Sequence, residues 1–251
     1  MIKLFRRGTG WSAARAIKAI LALQIVIAGV LFANDIIRVL PSLGLAPSAP
    51  RLTRPVHPGD QTRRYDPKHV PTGPSVPGTG DMPSRLLFET SGDTLNLTGA
   101  IAQGDAERFD TWLQTHDLPL TATLHSTGGS VQDALAIGKR LREGEANTTV
   151  TAGKVCLSAC PYIFAAGTDR HAHKDAYIGV HQHYFGENIA LPAFLAVEDI
   201  QRGQGEVMGY LDDMGIDLRL MQPALITPPE DIYILTPDEL TKYNLATEIT
   251  E

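Results

Sequence analysis

The chain has little cysteine, no excess of positive charge and no phosphate-cradling loop, and each shortage narrows its function. Two cysteines in 251 residues exclude a disulfide-rich scaffold. They leave one internal pairing, Cys156 with Cys160. With 22 Lys and Arg against 28 Asp and Glu, the formal net charge is −6. Binding to nucleic acid, which rests on cationic contacts to phosphate, has no electrostatic support in that balance. No glycine-rich loop ends in Lys-Ser or Lys-Thr, so a nucleotide-phosphate site of that type is absent. No internal repeat is found, which sets solenoids aside. What remains is a chain with 43% hydrophobic residues, enough for one sizeable domain with appendages.

The charge is unevenly placed. Residues 1–18 hold Lys3, Arg6, Arg7, Arg15 and Lys18 and no acid. An apolar stretch follows, Ala19 to Ala33, and continues through Ile36, Ile37, Val39 and Leu40. A bilayer core needs about 20 apolar residues of helix, and this stretch supplies that length. A cleavable signal peptide is the competing reading. Ala33 has Leu31 at its −3 position, and Ala46 and Ala49 each precede a residue context containing proline, so no good cleavage site stands out. The expectation is an uncleaved signal anchor over 19–40, single-pass in the inner membrane. The basic segment 1–18 would stay cytoplasmic and the rest would lie in the periplasm or outside the cell.

Ten of the 17 prolines fall between positions 41 and 83. Such a segment buries too little to order itself, and proline stiffens it, so 41–84 reads as a linker. From about Arg85 the pattern becomes globular. Leu86–Phe88 and Thr94–Leu97 read as strands around the Ser91-Gly92-Asp93 turn. Ala106–Thr115 and Val131–Glu143 read as helices, with Thr121–His125 as the strand between them. A strand near Thr149–Val155 leads to a helix after Ser158. A strand over Ala176–Val180 leads to a long helix from Pro192 to Gly215. Thr236-Pro237-Asp238-Glu239 is a capping box that opens a last helix, with Asn244 suited to its end. Alternating strands and helices give an α/β fold for 85–251.

Ser158 lies at a strand-to-helix junction, where free N–H groups and the positive end of the helix favour nearby negative charge. Upstream is the tight Thr127-Gly128-Gly129-Ser130 turn, and downstream is His181 at a strand end. A serine, a histidine and exposed backbone N–H groups are the parts acyl transfer uses. Cys156 and Cys160 flank Ser158. A disulfide that frames the serine and a pair of small buried thiols are both compatible with that spacing. His171, His173, His181 and His183 raise a metal reading with the cysteines, but their spacing fits no common zinc pattern. Arg170 reads as a loop salt bridge or surface contact.

These segments resemble the proteolytic subunit of Clp protease. Ser126-Thr127-Gly128-Gly129-Ser130-Val131 is similar to its Ser-Pro-Gly-Gly-Ser-Val turn. Ser158 to Gly167 resembles its nucleophile segment, and Ile178-Gly179-Val180-His181-Gln182 its histidine segment. Leu95–Gly99 resembles its first core strand. Leu235–Leu240 with Tyr243-Asn244-Leu245 resembles its last helix. The five matches run in order over residues 86–248, and the Cys-x-Ser-x-Cys pattern is like that of a membrane-anchored, periplasmic Clp-protease-like group.

The resemblance implies a ClpP/crotonase-like fold of stacked β-α units, here preceded by a transmembrane helix and a proline-rich linker. It implies a serine peptidase and a homo-oligomer. Ser158 would be the nucleophile, His181 the general base, and Gly128 and Ala159 the oxyanion donors. Counting back from Thr236 puts Ile232 at the acid's position, so Asp231, one residue earlier, is the expected acid and Glu230 its substitute. Thr127 stands in place of the turn's proline, and His183 in place of the proline that usually follows His-Gln. A Ser-Lys dyad would need Lys154 or Lys174, of which Lys154 is poorly placed. Action on peptides or proteins without an ATPase partner and without a cofactor follows from an extracytoplasmic domain. Two rivals remain: a non-catalytic scaffold of the same fold that binds peptides or partner proteins, and acyl-CoA chemistry on that fold.

Overall fold

The computed structural model describes residues 13–39, 58–59, 61–66, 82–182 and 193–251, with the side chains of residues 13, 30–39 and 193–196 left aside. The chain divides into two compact units, 1–48 and 49–251. The first contains one helix, α1 (Ala13–Val39). Ile17, Ile20, Leu21, Leu23, Ile25, Val26 and Ile27 are all exposed on it. At 100° per residue these positions fall on every side of the helix. Among the described residues no helix is long and apolar enough to cross a membrane. The second half of the apolar stretch, from residue 30 onward, lies outside the described side chains.

The second unit is built on two sheets. The larger has the order β10-β7-β5-β4-β3-β2, and the smaller β1-β9-β8-β6. In the larger sheet, β2 (Leu87–Ser91) and β3 (Thr94–Thr98) form the expected hairpin. β3, β4 (Thr121–His125), β5 (Asn147–Val150), β7 (Arg170–His173) and β10 (Glu248–Thr250) then pair in parallel. Parallel neighbours need crossovers, and α2 (Asp105–Leu113) and α3 (Val131–Glu143) supply two of them. Leu95, Leu97, Leu124, Phe109, Ile137 and Leu141 are fully buried where these helices meet the sheet.

The smaller sheet carries β6 (Val155–Leu157), β8 (Tyr177–Val180), β9 (Asp231–Ile234) and β1 (Thr62–Arg64). The single strand expected near Thr149–Val155 is two strands in different sheets. The chain turns between them at Thr151–Lys154, where Gly153 has φ +70° and Lys154 N donates to Thr151 O at 3.0 Å. Arg170, expected in a loop, opens β7 (Arg170–His173). His171 and His173 lie on its half-exposed face, while Arg170 and Ala172 are buried. Arg170 is no surface contact. Its guanidinium donates to Gly167 O, Asn244 O and Leu245 O at 2.9–3.1 Å. Those carbonyls follow α4 (Cys160–Ala165) and α7 (Pro237–Lys242), whose C-terminal ends favour a cation.

α4 is short and wholly buried. α5 (Ala193–Asp213) covers the long helix expected in that region, whose expected first residue, Pro192, lies outside the described residues. α6 (Met221–Ile226) follows it. α7 opens on the expected capping box, in which Thr236 and Glu239 cap each other reciprocally. Asn244 has φ +53° at its end, a left-handed conformation that asparagine tolerates.

Candidate active site

The site follows from register in the smaller sheet. β6 and β8 run parallel with Leu157 opposite Gly179, so both strands end side by side. Ser158 follows the first and His181 the second. Ser158 N donates to Gly179 O at 2.9 Å, which locks the two ends together. Ser158 has φ +60°, a left-handed conformation for a residue with a Cβ. That conformation costs about 1–2 kcal/mol and turns the side chain out of the strand plane before α4 begins. The disulfide between Cys156 and Cys160 spans this bend, with Cα atoms 5.0 Å apart. Of the two arrangements open from sequence, the paired one is present.

Ser158 Oγ lies 2.8 Å from His181 Nε2. His181 Nδ1 lies 2.8 Å from the backbone carbonyl of Asp231. A carbonyl oxygen only accepts, so Nδ1 carries the proton and Nε2 is left to accept from the serine hydroxyl. Burial pushes the His181 pKa below its ordinary value, against the opposing effect of backbone bonds to Asp231 and Pro229. The imidazole is therefore neutral at pH 7, the state a general base requires.

Asp231 meets His181 through its main chain and not through its carboxylate, which corrects the role expected for it. β9 pairs antiparallel with β1, and Asp231 stands opposite Arg64. Its carboxylate lies 3.6 Å from the Arg64 guanidinium, both groups partly exposed. Strand geometry holds the carbonyl in the sheet plane, toward His181, while the side chain leaves that plane.

The Thr127-Gly128-Gly129 turn packs directly on the serine. A Cβ on Gly128 would lie 2.4 Å from Leu157 O, 2.6 Å from Ser158 Cβ and 2.8 Å from Ala159 N. Gly128 also has φ +92°. Only glycine allows this approach. Gly128 N–H, expected as an oxyanion donor, already donates to Ser126 Oγ at 3.1 Å. The N–H groups of Gly129 and Ala159 have no hydrogen-bond partner among the described residues. Ala159 directly follows Ser158, and Gly129 follows the Gly128 that packs on it, so these two N–H groups are the candidate oxyanion donors.

Tyr65, which nothing in the sequence marked, reaches the same place. Its ring stands edge-on to the His181 imidazole with centroids 4.7 Å apart. Its hydroxyl donates to Thr127 O at 2.6 Å. Burial pushes the phenol pKa up to about 12.

Lys174 makes its contact with the Glu251 carboxylate, on the larger sheet. His171 and His173 lie near Glu248 and Asp175. No cluster of three or more metal-ligating side chains occurs among the described residues. His183 lies outside them.

One solved structure with this architecture is a point mutant of ClpP1 from Listeria monocytogenes. It matches with a TM-score of 0.50 at 20% identity, over 63% of this chain and 91% of that one. The chain has a Clp-protease-like fold. At that identity the likeness concerns the fold, and the chemistry rests on the residues described above. No family model and no curated protein matches the chain. In the Clp-like fold the smaller sheet carries both strand ends that bear Ser158 and His181, and the turn of Gly128 closes the site from the larger sheet.

Proposed function

We propose that the chain is a serine peptidase of the Clp-protease-like class, cutting peptides or proteins outside the cytoplasmic membrane without ATP. The observation that carries this reading is the 2.8 Å contact between Ser158 Oγ and a neutral, tautomer-defined His181 at a strained strand-to-helix bend. Ser158 attacks the scissile carbonyl. His181 Nε2 takes its proton and returns it to the leaving amine. Gly129 and Ala159 N–H groups hold the oxyanion. The domain works as a homo-oligomer, needs no cofactor and has no ATPase partner.

The anchor belongs to this reading. The described part of α1 is apolar on every side, the pattern of a helix facing lipid rather than one core. Its basic flank supports an N-terminus held in the cytoplasm.

A specific observation favours a second reading, a scaffold that binds peptides without cleaving them. His181 Nδ1 is held by a carbonyl, and among the described residues no carboxylate hydrogen-bonds the imidazole. Hydrolysis of an unstructured, fluorescently quenched peptide by the full chain in detergent separates the two. The peptidase reading expects turnover that Ser158→Ala abolishes. Turnover that persists in Ser158→Ala, or none in the folded wild type, refutes it.

A further inference from the structure

Residues 61–66 lie within the segment that the composition marks as linker, yet they are docked on the site. β1 adds to the outer edge of β9, antiparallel, with Thr62 opposite Tyr233 and Arg64 opposite Asp231. Backbone bonds close both ends of this short ladder, Ile234 N to Gln61 O at 2.9 Å and Tyr65 N to Glu230 O at 3.0 Å. The Gln61 side chain donates to Tyr233 Oη at 2.7 Å and to Glu239 at 2.8 Å, which pins the segment against α7. The strand then delivers Tyr65 to the mouth of the site. Its ring contacts His181 at one end, and its hydroxyl contacts the Thr127 carbonyl at the other. Both of those neighbours adjoin Ser158: His181 Nε2 is 2.8 Å from its Oγ, and Gly128, next to Thr127, packs on its Cβ, so the ring sits beside the nucleophile.

This is the geometry by which an extended peptide would bind. Main-chain bonds to a sheet edge give affinity, and a side chain enters the neighbouring pocket. The segment that fills the edge is short, and apart from Tyr65 its side chains are polar or charged. Its Arg64–Asp231 pair is partly exposed and therefore weak.

We propose that the β9 edge, with the cleft between His181 and Thr127, is the binding groove for an extended peptide carrying a large side chain, and that residues 61–66 hold it as an internal, displaceable occupant. The inference rests on the peptidase reading for its biological meaning, since a peptide in this groove would lie against Ser158. The competing role for Tyr65 is positioning, in which it steadies His181 and its loss weakens the site.

The test uses the full chain in detergent with two substitutions that release the segment differently. Tyr65→Ala empties the cleft, and Gln61→Ala removes the anchor at Tyr233 and Glu239 while leaving Tyr65 intact. The first readout is the rate of fluorophosphonate labelling of Ser158. The second is anisotropy of a labelled Gln-Thr-Arg-Arg-Tyr-Asp peptide, the sequence of 61–66, on the same variants in a Ser158→Ala background. Apparent affinity falls by the fraction of molecules whose groove is open, so release should tighten peptide binding about tenfold. Labelling should accelerate to a similar degree in both variants. Equal peptide binding by the unreleased and released chains overturns the proposal, as does no binding by any of them. Slower labelling in both released variants also overturns it and makes Tyr65 a positioning residue. If no chain labels but the released chains bind the peptide more tightly, the groove stands and the peptidase reading falls.

Discussion

Replacing Asp231 by asparagine separates two accounts of how His181 is held. If the carboxylate were the acid of a triad, its loss would lower the rate by about 10⁴, as expected when the wrong tautomer is favoured. Here the carboxylate is turned toward Arg64 at 3.6 Å, and the group that meets Nδ1 is the backbone carbonyl, which asparagine retains. The substitution removes one partly exposed ion pair, worth about 0–1 kcal/mol. Converted through RT, that corresponds to at most about a fivefold change even if all of it reached the transition state. The assay is the second-order rate of fluorophosphonate labelling at pH 7, with thermal unfolding as the control for folding. A fall of less than about fivefold agrees with the carbonyl-held histidine. A fall of a thousandfold or more with an unchanged unfolding midpoint would refute it, because only a carboxylate facing His181 could cause it.

Three further outcomes are expected. His181 has its pKa lowered, mainly by burial, so labelling should be at its plateau by pH 7 and decline only as pH drops through a value below 6.5; an inflection above 6.5 would contradict the burial argument. His125 is buried with its pKa pushed down to about 4, chiefly by desolvation and then by Lys154. The unfolded chain then binds the extra proton first, so stability present above pH 6.5 is lost as pH falls toward 4, by about 3 kcal/mol in all. Urea unfolding from pH 7 to 4 reads this, and His125→Gln should flatten the dependence. Arg170→Leu removes three buried carbonyl contacts and should destabilise the domain by about 2–4 kcal/mol, with early exchange of the amides of β10; a change under 0.5 kcal/mol would show the carbonyls find other partners.

Much of the site was legible because its parts are local. A glycine pair, a serine before an apolar run and a histidine after a short strand each announce themselves within a few residues. Their juxtaposition depends on β6 and β8 pairing in parallel, which strand ends of similar length make natural. The less legible features depend on long-range register. Tyr65 sits between Pro58 and Pro67, in a composition that signals linker, and the strand just before it, β1, forms only because β9 offers an edge. The same pairing turns the Asp231 side chain toward Arg64 and its carbonyl toward His181. An acid count along the chain cannot distinguish a carboxylate from the carbonyl of the same residue. Arg170 reads as loop in the sequence because its strand is four residues long and rich in polar side chains. Its place in the sheet comes from β5 and β10 on either side. The capping box of α7 and the α3 boundaries, set by local chemistry, match the structure.

The most direct test of the central claim is site-resolved fluorophosphonate labelling of the full chain in detergent, read by mass spectrometry of the peptide that contains Ser158. The account predicts a single adduct on Ser158 that disappears in His181→Ala although the serine remains. An adduct that forms equally well in His181→Ala would contradict it, and so would a folded wild type that stays unmodified.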